Sequence, residues 1–204
     1  MQAQLVASTL DEETARAEVY GLLAALFYAA PSAGLYDRLR VAVTEAPAAG
    51  ALLESSWGEL VAAAREHSLA DTCREYDALF GGVGKPEVYL FGSHYLSGFL
   101  NEKPLAALRN DIAALGLARD EAMSETEDHV AYLCEVMRYL IAGDDVEVAN
   151  LTRQRAFFSR HVQPWFPRMC DAVMQHPKAG FYRRLAAFTQ AFISVESQGF
   201  DMLE

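Results

Sequence analysis

Residues 11–30, "DEETARAEVYGLLAALFYAA", decide the fold class. Their apolar side chains Ala15, Val19, Leu22, Leu23, Leu26 and Phe27 recur at steps of three and four, the spacing of one helix face. Pro31 then ends the segment, because a proline cannot continue the backbone ladder. The same pattern repeats along the chain. "LYDRLRVAVTEA" (35–46) runs up to Pro47, and "LLESSWGELVAAAREH" (52–67) follows it. "SLADTCREYDALF" (68–80) opens on Ser68, a side chain suited to an N-cap. "KPLAALRNDIAALGL" (103–117) has Pro104 in its first turn and Gly116 as its stop. "SETEDHVAYLCEVMRYLI" (124–141), "DVEVANLTRQRAFFSRHV" (145–162) and "QPWFPRMCDAVMQH" (163–176) are further helices. The last, "GFYRRLAAFTQAFISVES" (180–197), lines up Tyr182, Leu185, Phe188, Phe192 and Val195. No alternating strand series and no internal repeat interrupts this reading. The expected fold is all-α, a single-domain bundle of about eight or nine helices spanning residues 1–204.

Composition narrows the function classes. A chain of 204 residues with 52% hydrophobic and 22% charged side chains is long enough to bury a core without staples. Cys73, Cys134 and Cys170 sit at helix-patterned positions with no C-x-x-C pair, as expected of free thiols in a reducing compartment. The start "MQAQLVASTLDEE" lacks the basic and long apolar regions of a secretory signal, and no run reaches the roughly 18 apolar residues of a membrane span. A cytoplasmic protein without membrane insertion is expected. The formal net charge is −11, which repels phosphate backbones and favours cationic ligands or peptides over nucleic acid.

Two stretches carry candidate chemistry. The first crowds Glu125, Glu127, Asp128 and His129 into five positions. Ser124 and Glu127 have the S-x-x-E spacing of a capping box, so Glu127 has a local reading as the start of a helix. By helical angle, Val130, Leu133, Cys134, Met137 and Ile141 form the core stripe. His129 lies at its border, and Asp128, Tyr132, Glu135 and Tyr139 face away. A histidine at a helix start is expected to be neutral and hydrogen-bonded. No Glu-x-x-His is present, since Thr126 stands three before His129, and there is no H-E-x-x-H, no zinc spacing and no nucleophile elbow. "GGVGKP" (81–86) follows a helix and has Pro86 where a phosphate loop needs Ser or Thr. No metal, no cofactor and no catalytic residue is assigned.

The second stretch is "EYDALFGG" (75–82), where Tyr76, Leu79 and Phe80 share a helix face. The loop that follows contains "VYLFGSHYLSGFL" (88–100), rich in aromatics and glycine. An aromatic helix end beside such a loop is a candidate groove for an apolar peptide. Burial in the core is the competing reading of the same rings.

These segments, "EYDALFGG", "YLFGSHYLSG", "EKPLAALRNDIAALGL" and "ETEDHVAYLCEVM", in this order, resemble the TorD-like family of molybdoenzyme chaperones, the group with the DmsD- and NarJ-type proteins. The resemblance covers roughly residues 15–195. It implies an all-helical, non-catalytic cytoplasmic chaperone. Such a protein binds the twin-arginine signal peptide and the body of a molybdopterin-dependent oxidoreductase of the DMSO reductase type. It holds the apoenzyme for cofactor insertion and delays export. Carried over by motif, the peptide-binding residues implied are Tyr76, Leu79, Phe80, Phe91, Gly92, Ser93, Glu125, Asp128 and His129. Tyr95 and Glu127 join them on physical grounds, as an apolar ring and a carboxylate for a guanidinium-bearing, apolar peptide. Thr126 stands where the family motif has proline. Replacing Asp128 or His129 is expected to weaken peptide binding and leave helix content intact. The alternatives are a metal-binding or hydrolytic protein using Glu125, Asp128 and His129, and a plain helical scaffold. Monomer and dimer are both compatible with the sequence.

Overall fold

The computed structural model describes residues 2–44, 52–81, 85–120 and 123–202. The expected stop at Pro47 and Gly82–Gly84 of the glycine-rich loop lie outside the described residues. Among the described residues the chain forms ten α-helices and one π-helical turn, with no strand. The fold is all-α. The backbone divides into two compact units, Met1–Tyr28 with Phe91–Trp165, and Ala29–Leu90 with Phe166–Glu204.

The first unit holds α1 (Gln2–Tyr28), α5 (Gly92–Ser97), α6 (Lys103–Ala114), α7 (Val130–Ala142), α8 (Leu151–Phe157) and the π-turn Phe158–Val162. Its centre is α7, which packs along α1. Buried positions encircle most of α7, Tyr132, Val136 and Leu140 included, leaving Glu135, Arg138 and Tyr139 outward. A helix buried on nearly every side is a core helix, and Tyr132 is therefore inside rather than facing away as its angle suggested. The buried face of α1 is Ala17, Tyr20, Leu23, Ala24, Leu26 and Phe27, so Leu23, Leu26 and Phe27 of the expected stripe are inside, whereas Ala15 is exposed and Val19 and Leu22 are half-buried. On α1, Gly21 is where α7 comes close: a Cβ there would lie 3.2 Å from the Arg138 side chain. Buried Gln154 on α8 uses both ends of its amide: Nε2 donates to the Leu140 carbonyl at 3.0 Å, and Oε1 accepts from Arg16 at 3.2 Å. α6 buries Leu105, Leu108 and Ile112, and Gly116 takes the left-handed conformation (φ 73°) expected of a helix stop. The expected helix 145–162 is shorter than read. Asn150 caps α8 through a 3.1 Å bond from the Arg153 amide, and the helix widens into the π-turn.

The second unit holds α2 (Ala33–Arg40), α3 (Glu54–Glu66), α4 (Leu69–Leu79), α9 (Phe166–Gln175) and α10 (Phe181–Asp201). α10 packs against α9, α3 and α4. Its buried positions include Tyr182, Leu185, Phe188 and Phe192 as the sequence indicates, with Glu196 rather than Val195 inside the last turns. Ser68 caps α4, accepting from the Asp71 amide at 3.1 Å. α2 stops at Arg40, where the Arg65 guanidinium binds the carbonyls of Arg40 and Ala42 at 2.9 and 3.1 Å.

Candidate functional site

Eight of the eleven site residues inferred from the sequence belong to the first unit, and Tyr76, Leu79 and Phe80 belong to the second. In the second unit, Leu79 is fully buried, while Tyr76 and Phe80 are half-buried. The two rings meet edge-on at 5.3 Å, and each packs on buried Tyr182, at 5.8 and 5.1 Å. Burial holds the Tyr182 hydroxyl protonated, raising its pKa far above the usual range. Glu75, the residue before this pair, was not singled out from sequence. Its carboxylate accepts the amides of Gly180, Phe181 and Tyr182 at 2.8, 3.0 and 2.8 Å. It thereby caps α10 from a distance and pins the helix that backs the aromatic pair.

In the first unit the "FGS" and "TEDH" segments are two halves of one joint. Phe91 and His129 form an isolated antiparallel bridge, with the Gly92 amide donating to the Asp128 carbonyl at 2.8 Å. The Asp128 carboxylate then accepts twice, from the Ser93 amide at 2.9 Å and the Thr126 hydroxyl at 2.6 Å. Asp128 is 3% exposed, so this carboxylate caps the first turn of α5 and is not a surface group. Thr126, the departure from the family's proline, supplies one of those two bonds. The buried Ser93 hydroxyl has no hydrogen-bond partner among the described residues, so Ser93 serves the joint through its backbone.

The capping box read from Ser124 and Glu127 does not form. Helix α7 begins at Val130, five residues later than that box requires, and its N-cap is His129. The His129 Nδ1 accepts the Ala131 amide at 3.2 Å, which places the proton of the neutral ring on Nε2. Ser124 instead donates to Glu125 at 3.3 Å, and Glu127 is paired with Arg109 at 2.8 Å. Burial is the largest single influence on the Glu127 carboxyl and raises its pKa, but the Arg109 bond and charge, a backbone amide and the Arg119 charge together outweigh it and hold the pKa below the usual carboxylate range. The Arg119 guanidinium binds the Glu125 carbonyl at 3.2 Å. Bonds from Asp128 to α5 and from Glu127 to α6, with a turn closed by the His129 amide on the Thr126 carbonyl at 3.0 Å, hold the segment out of a helix, so helix does not start at 124.

His129 is 3% exposed and meets Phe91 and Tyr28 edge-on at 5.0 and 6.3 Å. Burial pushes its pKa down to about 4, with neighbouring Asp128 opposing the shift. The expected neutral histidine is present, and burial is the larger cause. An unfolded histidine protonates near pH 6.5, and the folded one only near 4, so the unfolded chain binds the extra proton between these values. The stabilisation is full above pH 6.5 and falls by about 3 kcal/mol as the pH drops toward 4. In His129→Asn the amide oxygen can still cap Ala131 but does not titrate. Urea unfolding from pH 7 to pH 4.5 is expected to cost the wild type about 2 kcal/mol more than this variant. Equal slopes would contradict the burial.

Trp165 backs the joint. It is 1% exposed, and its Nε1 donates to the His161 carbonyl at 2.7 Å in the π-turn. A Cβ on residue 92 would sit 3.0 Å from the indole nitrogen, so glycine is needed for this close approach. Tyr95, half-buried, stacks on the same indole at 5.7 Å and 16°. The π-turn is itself fixed by Asp111, which binds His161 at 2.6 Å and Arg160 at 2.9 Å. Burial lowers the His161 pKa against the pull of Asp111.

The arrangement is a hydrogen-bonded joint that fixes Phe91, Tyr95 and His129 in place. Among the described residues no group of three His, Cys, Asp or Glu side chains is placed to hold a metal ion, and no helix is long and apolar enough to cross a membrane. Comparison with known proteins adds the lineage. A family model described as nitrate reductase delta subunit matches residues 46–171, more than half of the chain. The chain belongs to this family, the TorD-like chaperones. The chaperone protein TorD of Vibrio cholerae serotype O1 is 26% identical over 204 residues, covering 92% of this chain and 93% of the relative. The TorD of Vibrio parahaemolyticus serotype O3:K6 is 24% identical over 141 residues, covering 65% and 66%. The matched span contains the whole joint of this TorD-like chain, from Phe91 to Trp165, together with the Tyr76–Phe80 pair.

Proposed function

We propose that this TorD-like protein is a cytoplasmic maturation chaperone of a molybdopterin-dependent oxidoreductase of the DMSO reductase type. It binds the enzyme's twin-arginine signal peptide and its apo form, assists cofactor insertion and delays export. Membership of the family carries the proposal. The structure supports it with partly exposed aromatic surface in each unit, Tyr76 and Phe80 in one and Phe91 and Tyr95 in the other. Such rings supply apolar contact for the leader's hydrophobic stretch at low entropic cost. Half-buried Glu125 and Glu127 offer carboxylate edges. Leu79, Gly92, Ser93, Asp128 and His129 are buried and hold these surfaces in shape. The −11 charge accelerates encounter with a cationic leader.

Co-purification tests the proposal. Tagged chaperone, co-expressed with each molybdoenzyme of its own genome, is expected to retain one apoenzyme with its leader and to lose most of it when the leader is deleted. Failure to retain any molybdoenzyme would overturn the assignment.

A further inference from the structure

The run "LSGFLN" (96–101) leads from Tyr95 toward α6. Leu96 is 42% exposed, Phe99 70% and Leu100 41%, three large apolar side chains open to solvent within five residues. The backbone beneath them is set in shape. Helix α5 ends at Gly98, left-handed at φ 85°, whose amide donates to the His94 carbonyl at 2.9 Å. The Ser97 hydroxyl sits between the carbonyls of Ser93 and Phe99, at 2.7 and 3.2 Å. Asn101 is left-handed as well (φ 59°), the one non-glycine residue in that region among the described residues. A turn fixed in this way presents its apolar side chains with little ordering left to do on binding.

Area and charge narrow what covers this turn. A phenylalanine has roughly 200 Å² to bury, so the three side chains together offer on the order of 300 Å². A stable protein–protein interface takes about 800 Å² from each partner, so the turn alone does not hold a second copy of the chain. Charge argues the same way. The first unit has 15 acidic and 8 basic residues, −7 of the chain's −11, and two such units repel each other. Exposed Glu102 and Lys103 beside the turn offset one another, so the contact is apolar and the unit's field acts at a distance. An apolar segment joined to a cationic one suits both properties.

We infer that the α5 turn of Leu96, Phe99 and Leu100 receives the apolar stretch of the client's leader, continuing the surface of Phe91 and Tyr95 along the same short helix. The inference rests on leader binding as proposed above and gives that surface its anchor, Phe99. A large exposed ring on a fixed turn is the kind of residue on which binding energy concentrates.

Calorimetric titration of the full chain with a synthetic twin-arginine leader decides it, using wild type, Phe99→Ser, Phe99→Leu and Val146→Ser. Val146 is 77% exposed in the same unit, so its variant controls for loss of apolar surface in general. Phe99→Ser is expected to lose affinity roughly tenfold with unchanged melting temperature, Phe99→Leu to regain most of it, and Val146→Ser to stay within about twofold of wild type. A leader with serines in its apolar stretch is expected to bind wild type and Phe99→Ser equally. Wild-type binding with Phe99→Ser within twofold would overturn the turn and leave leader binding standing. A wild-type dimer that Phe99→Ser dissociates, at unchanged leader affinity, would give the turn to a second copy and overturn it too. Absence of binding in the wild type would instead overturn leader binding, and the turn with it.

Discussion

Asp128→Ala is expected to lower the free energy of unfolding by about 2–3 kcal/mol, because the buried Ser93 amide and the half-buried Thr126 hydroxyl lose their acceptor. The Ser93 amide and the Thr126 hydroxyl both end on this carboxylate, which is itself buried. Asp128→Asn separates this structural role from recognition of charge. Its amide oxygen can accept the Ser93 amide, and its NH2 group can donate to a Thr126 hydroxyl that has rotated. Asparagine is therefore expected to restore all but about 1 kcal/mol. Urea midpoints of the three proteins measure the effect. An alanine variant as stable as the wild type would show that the carboxylate is not committed to the joint. The sequence alone had suggested such indifference, with Asp128 on an outer helix face.

Trp165→Ala is expected to cost about 3–5 kcal/mol, the range for removing a buried aromatic side chain. The loss combines the cavity, the hydrogen bond to His161 and the stacking of Tyr95. Its distinguishing feature is coupling to Gly92. In the wild type, Gly92→Ala forces a methyl to within 3.0–3.1 Å of the indole, and a rigid ring cannot yield cheaply. In the Trp165→Ala background the same methyl enters vacated space, and the preference of helix α5 for alanine over glycine then dominates. The double-mutant cycle is expected to show a coupling of about 1 kcal/mol or more. Additive effects would mean that the two residues do not touch.

The helical class was readable because its evidence is local. Ser68, Gly116 and the α10 stripe of Tyr182, Leu185, Phe188 and Phe192 each depend on neighbours within a turn or two. The start of α7 was misread for the complementary reason. Ser124 and Glu127 satisfy the local capping pattern, yet Arg109 on α6 and Ser93 on α5, 18 and 35 residues away, hold the segment in a turn outside the helix. Glu75 was missed for a similar cause, since its three amide partners lie 105–107 residues downstream. Motif resemblance marked Gly92, Ser93, Asp128 and His129 as belonging together. It carried no information that their bonds point at one another.

The most direct test is hydrogen exchange at the Gly92 and Ser93 amides, measured with and without a saturating twin-arginine leader. Both amides end on Asp128, one on its carbonyl and one on its carboxylate. They are expected to exchange as slowly as the core amides of α7 in both states, because the joint is part of the folded frame and not a receptor that opens. Exchange at loop rates in the free protein, or release of the Ser93 amide on leader binding, would show that Asp128 gives its carboxylate to the peptide and would contradict the joint.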